Sequence, residues 1–579
     1  MNYKKRDTDV DRRAFLNTLG VSAGLAASLP AVSILSEPSA YADDIGPQGG
    51  RARAESSERI RQEVAERESN VRIPNHDDNG DEELYPSKIG NYSKNLKHDP
   101  TTGEVDPGAY QAMIAAIASG RFDDFEALAL NGHFGSTDSA QQRRLVNPGS
   151  GYAFDLEGTD SHQLKLPPAP AFASAQEAGE MAELYWMALL RDTNFADYDS
   201  SSLAQEAAAD LSKLSDFRGP KDGGVVTTRT LFRDTYPGCT LGPYISQFLL
   251  QPCSFGAQRI DTRMVTVANG VDYMTSFSDW LAVQNGVNTP PIPTVGLAYC
   301  RSGRDLTHYV NIDQLFEAYF VSCINLLSNG YFANAGNPYG RIYDGGAGRP
   351  RNASLDPNGS LAQVGFGTFG GPAVLTLACE PATRALKDVW YQKWLVHRRL
   401  RPEEFGGRVE VNRLGIRHYP IHKDLLNVST VLNAVFSKCG TNLLPMAFPE
   451  GSPNHTSYGS GHATVAGACV TMLKALFDDT QLIKNPVVPN PADGGQTLIP
   501  YVAPSGEPPL TVGGELNKIV SNVSQGRNMA GVHWRSDATE SNALGEDATI
   551  SMLKDMKRTF SEPFSGFKFT KFDGTTIRV

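Results

Sequence analysis

Nine stretches of the chain carry apolar residues at the three-to-four spacing of a helix face, while the two-residue alternation of a half-buried strand is scarce. They fall at 110–119, 173–190, 203–214, 310–327, 371–400, 425–436, 463–477, 514–527 and 545–557. Glycine- and proline-rich stretches at 329–365 and 484–509 interrupt them. The pattern predicts an all-α fold, a large and mainly helical protein with two packed helical bundles. An N-terminal helical region would span 109–350 and a C-terminal one 351–579, with a single shared core as the other arrangement the pattern allows. A chain of 579 residues, 40% of them hydrophobic, has ample apolar material for either. Residues 43–108 differ: they are polar, include an acidic run at 77–83 and show no sustained apolar period. They read as an extended polar arm with one short helix near 58–67, suited to wrapping a neighbouring subunit.

Charge excludes one class of function. Lys and Arg number 53 against 64 Asp and Glu, a net charge of −11, so the chain lacks the basic excess that a nucleic-acid binder needs to neutralise phosphates. Seven cysteines without a CxxC pair give no support to a zinc ribbon or a thioredoxin-like redox site, and the odd number leaves at least one unpaired in a monomer. At the N-terminus, residues 11–16 read DRRAFL, and a Gly-, Ala- and Ser-rich apolar run then leads to Ala40, Tyr41 and Ala42. This is the layout of a twin-arginine signal peptide over 1–42, cleaved after Ala42, with a retained membrane anchor as the alternative. Export of that kind moves folded protein, which predicts a periplasmic or extracellular location and a compartment in which some cysteines pair.

Six of the eleven histidines lie beyond residue 390, in the region that also holds the densest cluster of Lys and Arg. Three segments concentrate them. In the first, WYQKWLVHRRLRP, Lys393 and Arg401 are eight residues apart, which on one helix sets both cations on one side two turns apart, with Pro402 ending the helix. In the second, the loop Gly459-Ser460-Gly461-His462 feeds a clean helix. Unpaired N–H groups and the positive end of the helix dipole there suit a tetrahedral oxyanion, with the Ser460 hydroxyl as a further donor and His462 as an acid or base. The third, RNMAGVHWRSD, supplies Arg527 and His533, and Asp537 lies four residues further on, in reach of an imidazole N–H. Each segment alone also has an ordinary reading, as solvated surface, helix cap or helix-face pair. Together they propose an anion pocket of Lys393, Arg401, Arg527, Ser460 and the Gly461 N–H, with His533 and His462 on opposite sides.

The order of these motifs resembles that of the vanadium-dependent haloperoxidases and the related acid phosphatase and lipid phosphatase superfamily, PAP2. The segments WYQKWLVHRRLRPEEFGGR, FPEGSPNHTSYGSGHATVAG and GRNMAGVHWRSD, with LVNPGSGYAFDLEGTDSHQ and LYWMALLRD upstream, resemble the bromoperoxidase branch over most of the chain from about residue 105 to 533. The resemblance implies a vanadate site in the C-terminal bundle, one vanadate per subunit. His533 would bond the metal, and Lys393, Arg401, Arg527, Ser460 and the Gly461 amide would hold its oxygens. His462 would be the acid-base group and Asp537 the partner of His533. His455 falls where bromoperoxidases carry a histidine and the fungal-type chloroperoxidase a phenylalanine, which implies bromide; Trp390 falls at a halide-adjacent position occupied by Trp or Arg in the family and does not settle selectivity.

The phosphatase signature has one residue fewer between its Lys and Arg and a proline where this chain has Gly459, and both departures favour the haloperoxidase side. The implied activity is a vanadate-dependent haloperoxidase, a bromoperoxidase that uses hydrogen peroxide to oxidise bromide to hypobromous acid and halogenate small organic substrates. Iodide would be oxidised as well, while chloride is left open. An acid phosphatase of the same superfamily and a non-catalytic periplasmic oxyanion-binding protein are the alternatives. The family implies a homo-oligomer, at least a dimer, and no nucleic-acid partner. Calcium, which some relatives carry in the loop before GFGTFGG, has little support, because that loop offers only Asp356 as a carboxylate. The GxGxxG at 365–370 follows no strand and reads as a tight loop. His397 and Arg398 are expected to make structural hydrogen bonds, and His418 and His422 to be ordinary loop residues.

Overall fold

The computed structural model describes residues 50–130, 143–343, 359–360 and 362–579, so the twin-arginine segment and Asp356 lie outside the described residues. Its helices of nine residues or more are α1 (Gly50–Ser69), α2 (Pro107–Ser119), α3 (Ala175–Leu190), α4 (Ser202–Leu211), α5 (Gly303–Ile312), α6 (Glu317–Ser328), α7 (Pro381–Tyr391), α8 (Pro402–Arg413), α9 (Val431–Cys439), α10 (Gly461–Leu476), α11 (Val512–Met529) and α12 (Arg535–Lys557). Among the described residues, named strands form only four two-stranded antiparallel pairs. The protein is mainly helical. One apolar cluster runs from Met181 and Trp186 of α3 through Leu306 of α5 to Val470 of α10 and Val523 of α11, so the two halves share a core. No helix among the described residues is long and apolar enough to cross a membrane, and all seven cysteines, some of which were expected to pair, are free thiols.

Two expected helices break, and both breaks shape the site. The period at 310–327 divides at Asp313, whose extended backbone (φ −60°, ψ 149°) ends α5. The period at 371–400 divides more thoroughly. After α7 the chain makes a π-helical turn over Gln392–His397, and Arg398 then adopts a left-handed conformation (φ 42°, ψ 35°). Arg401 is extended (φ −83°, ψ 154°) and opens α8, with Pro402 in its first turn. Pro402 therefore starts a helix and does not stop one: proline disfavours helical geometry in the residue before it, and its missing N–H falls where a helix leaves N–H groups unpaired. Lys393 and Arg401 thus do not share one helix face; they reach the site from separate elements.

The polar segment, expected to wrap a neighbouring subunit, also packs on its own chain, where Ile89, Tyr92, Leu96 and Val105 are buried. Its backbone joins 398–400, with Tyr92 N donating to Arg398 O (2.9 Å) and Leu400 N to Gly90 O (3.2 Å). The expected short helix is the longer α1, which ion-pairs with α12 through Arg67 and Asp555 and with Arg558, just beyond α12, through Glu63.

Helices α10 and α12 cross closely, and two glycines make the approach. A Cβ on Gly467 would lie 2.2 Å from Asn542 O, and one on Gly545 2.0 Å from Thr464 O. Backbone therefore touches backbone, which holds the N-terminal ends of both helices together. Ser460 N donates to Ser541 Oγ (2.8 Å) across that junction.

A buried Arg clamps the neighbouring end of α11. Arg191 donates through Nε to Met529 O (3.0 Å) and through Nη2 to Pro445 O (2.8 Å), and pairs with Asp272. Burial pushes the Asp272 carboxyl up, but Arg191, Arg304 and Lys438 outweigh it and hold the group at about 2. A carboxyl lowered in the folded state contributes stability above its unfolded value near 4 that is lost as pH falls toward 2. Asp272→Asn is expected to lower neutral-pH stability by about 2 kcal/mol. In denaturant titrations the gap to the parent should narrow between pH 4 and 2; a pH-independent gap would show that Asp272 acts by packing alone.

Candidate active site

Four segments converge: the π turn after α7, the start of α8, the loop 450–460 leading into α10, and the α11–α12 junction. His533 sits in that junction, 1% exposed. Its Nδ1 lies 2.9 Å from Asp537 Oδ2. A carboxylate only accepts, so Nδ1 carries the proton and Nε2 presents a lone pair. Asp537 is fixed in turn: it accepts from Ser457 Oγ, Trp534 N (3.2 Å) and Arg399 Nη1 (2.8 Å). Arg399 is itself anchored to Glu177 and Glu180 of α3 and lies over the Trp534 ring at 4.6 Å.

Three cations surround the His533 imidazole. Arg401 donates from Nε to His455 O (2.9 Å) and from Nη1 to Val532 O (2.8 Å), and its Nη1 is 3.1 Å from His533 Nε2. Lys393 Nζ donates to Thr456 O (2.7 Å) and Ser457 O (2.9 Å), using two of the three ammonium donors. Arg527 donates to Val310 O (2.7 Å) and faces Phe448, while its buried Nε has no partner among the described groups. Burial lowers all three: Lys393 well below its ordinary value, with repulsion from Arg401 adding to it, and Arg401, against the pull of Asp537, to about 10. Burial, relieved in part by Asp313 and reinforced by Arg401, brings Arg527 to about 10.

Ser460 caps α10, accepting from Ala463 N (3.3 Å), and Gly461 opens its first turn, where a helix leaves N–H groups without internal partners. His462 follows, its side chain about one-fifth exposed (21%), with Nε2 3.1 Å from Asp313 Oδ1 at the break between α5 and α6. Burial and Arg527 lower its pKa against the pull of Asp313. His455 places its ring 4.9 Å from that of Trp390 and its Nδ1 3.0 Å from Arg401 Nη2. Burial, Lys393 and Arg401 hold His455 well below the ordinary histidine range, and burial with the same cations does so for His533. Trp390 donates to Val146 O (3.1 Å) and lies 5.6 Å from Lys393 Nζ.

The structure thus brings Lys393, Arg401, Arg527, Ser460, Gly461, His455, His462, His533, Asp537 and Trp390 to one place. Two participants were not singled out from the sequence. Arg399 lay inside a quoted motif without a distinguishing spacing, and Asp313 lay within a run that read as continuous helix. One expectation fails: among the described residues both buried ring nitrogens of His397 have no hydrogen-bond partner, and the ring packs edge-on to Tyr458 at 4.8 Å. Arg398 does bond, to Glu82 (2.8 Å) and Trp394 O (3.1 Å).

A buried nest of three cations with an orphaned guanidinium N–H, beside a helix N-terminus and an imidazole lone pair, fits a tetrahedral oxyanion bound to a metal centre. Fold and site together define an α-helical oxyanion-site protein. Residues 433–562 match the family model described as the VCPO second helical-bundle domain. The vanadium-dependent bromoperoxidase of Corallina pilulifera is 35% identical over 583 residues, covering 86% of this chain and 94% of the relative. That of Ascophyllum nodosum is 33% identical, covering 84% and 86%. The homohexameric structure of the second vanadate-dependent bromoperoxidase, AnII, from Ascophyllum nodosum aligns with a TM-score of 0.81 at 28% identity, covering 97% of this chain and 95% of that one. The chain belongs to the vanadium-dependent bromoperoxidase family.

Proposed function

We propose that this chain binds one vanadate and oxidises bromide with hydrogen peroxide to hypobromous acid, which halogenates small organic molecules. The observation that carries the reading is the convergence of three buried cations on an imidazole whose Nδ1 is committed to Asp537, leaving Nε2 to bond a metal. Lys393, Arg401, Arg527, the Ser460 hydroxyl and the Gly461 N–H would hold the vanadate oxygens. Vanadate, when bound, supplies Lewis-acid activation of peroxide. Arg399 and Asp537 fix the His533 ring so that its lone pair points one way. His462 keeps its Nε2 proton on Asp313 and has its pKa lowered by burial, so its other nitrogen is free to take a proton from peroxide and return it to the leaving oxygen. The cations are already in place and need no reorganisation as negative charge develops. His455 and Trp390 form an aromatic wall beside Arg401 and Lys393 where bromide would sit. Iodide is expected to react as well.

Export through the twin-arginine route to the periplasm or the exterior, and assembly into a homo-oligomer of at least two chains, are part of the same proposal. The DRRAFL run and the homohexameric relative support them. The test follows peroxide-dependent bromination of a cyclic diketone by metal-stripped protein with and without orthovanadate, alongside hydrolysis of an aryl phosphate. Bromination only with vanadate is the expected result. Phosphate ester turnover without bromination would make the site a phosphatase.

A further inference from the structure

The segment 90–95 lies behind the cation site, and its contacts are directed at the two elements that carry Arg401 and His455. Ser93 donates through both N and Oγ to Glu404 Oε1 (2.8 Å each), and the other oxygen of Glu404 accepts from Arg401 N (2.7 Å). Lys94, 0% exposed, spends all three ammonium donors at once: on Glu403 Oε1 (2.5 Å), Glu450 O (2.7 Å) and Ser452 O (2.8 Å). Glu403 completes the circuit, accepting from Ser452 N at 2.7 Å. Lys94 therefore joins the first turn of α8, two residues beyond Arg401, to the beginning of the loop that holds the His455, Thr456 and Ser457 carbonyls. Those carbonyls are the acceptors for Arg401 and Lys393.

We propose that Lys94 and Ser93 are positioning residues for the oxyanion site, setting the separation between Arg401 and the 450–457 loop. The polar N-terminal segment is in this sense a working part of the site. Neither residue touches the bound oxyanion; they act through Glu403 and Glu404. A Lys94 side chain without its charge would leave Glu403 as an unpaired buried carboxylate and free the loop from α8.

This inference rests on the vanadate reading above, so the experiment measures binding apart from turnover. Full-length Lys94→Met, the milder Ser93→Ala, and Leu553→Ala as a destabilised control remote from the site would be titrated calorimetrically with orthovanadate and with orthophosphate. Lys94→Met is expected to weaken both ligands roughly 10-fold, the scale seen when outer partners of a metal site are removed. Ser93→Ala should shift both in the same direction by less. The KM for bromide should rise in both variants while kcat per bound vanadate stays near the parent's, and Leu553→Ala should lower Tm and leave affinity unchanged. Should Lys94→Met fail to fold, Ser93→Ala carries the test. Parent-like affinities together with a lower Tm would overturn the proposal and leave Lys94 a purely structural residue. A parent chain that binds phosphate but not vanadate would overturn the functional reading instead.

Discussion

His533→Ala yields a folded protein that no longer brominates. The variant removes the nitrogen proposed to bond the metal and leaves the three cations in place. Folding is protected by the way Asp537 is held: without the imidazole it still accepts from Arg399 Nη1, Ser457 Oγ and Trp534 N, so no buried carboxylate is stranded. The expected drop in kcat is about a thousand-fold, the scale for losing a group that acts on the developing charge. Steady-state bromination with saturating vanadate measures it, with near-ultraviolet circular dichroism as the check on folding. Retention of more than a tenth of the parent rate would remove His533 Nε2 from its assigned place.

Gly545→Val is the largest expected effect on stability. The new Cβ would stand 2.0 Å from Thr464 O and 2.7 Å from Ala468 N, so α10 and α12 must separate along backbone that has no rotamer to change. Overpacking of this kind costs about 3 kcal/mol or more, read as a fall in Tm and in soluble yield. The damage would reach the chemistry, because Ser460 at the head of α10 and Asp537 in the first turn of α12 are joined across the same crossing. Gly367→Ala is the comparison: a Cβ there meets nothing within 4 Å, and its Tm should match the parent's. Equal melting of the two variants would show that the crossing yields easily.

The helices and the residues proposed to hold the anion were legible because each depends on local pattern. The α10 run announces itself as an apolar stretch after a glycine loop, and Lys393, Arg401, Arg527 and His533 stand in motifs of unusual composition. What stayed illegible was set by contacts distant in sequence. Arg398 adopts a left-handed conformation inside a period that reads as helix, and Asp313 interrupts another at the point where it meets His462. The polar segment has no apolar period because Lys94 and Ser93 enter the core as hydrogen-bonding groups whose partners lie some 300 residues away. Charge patterning reads such residues as solvated, and only the fold supplies Glu403 and Glu404.

The break at Asp313 also bears on transplantation of the site. Every proposed contact with the oxyanion comes from beyond residue 390, so the last third of the chain looks like a cassette that recombination could move between scaffolds. Yet Val310 O, in α5, receives Arg527, and Asp313, at the break after it, receives His462. A C-terminal fragment grafted elsewhere would keep the residues proposed to hold the oxyanion and lose the acceptors that aim two of them, so that segment is not a self-sufficient unit.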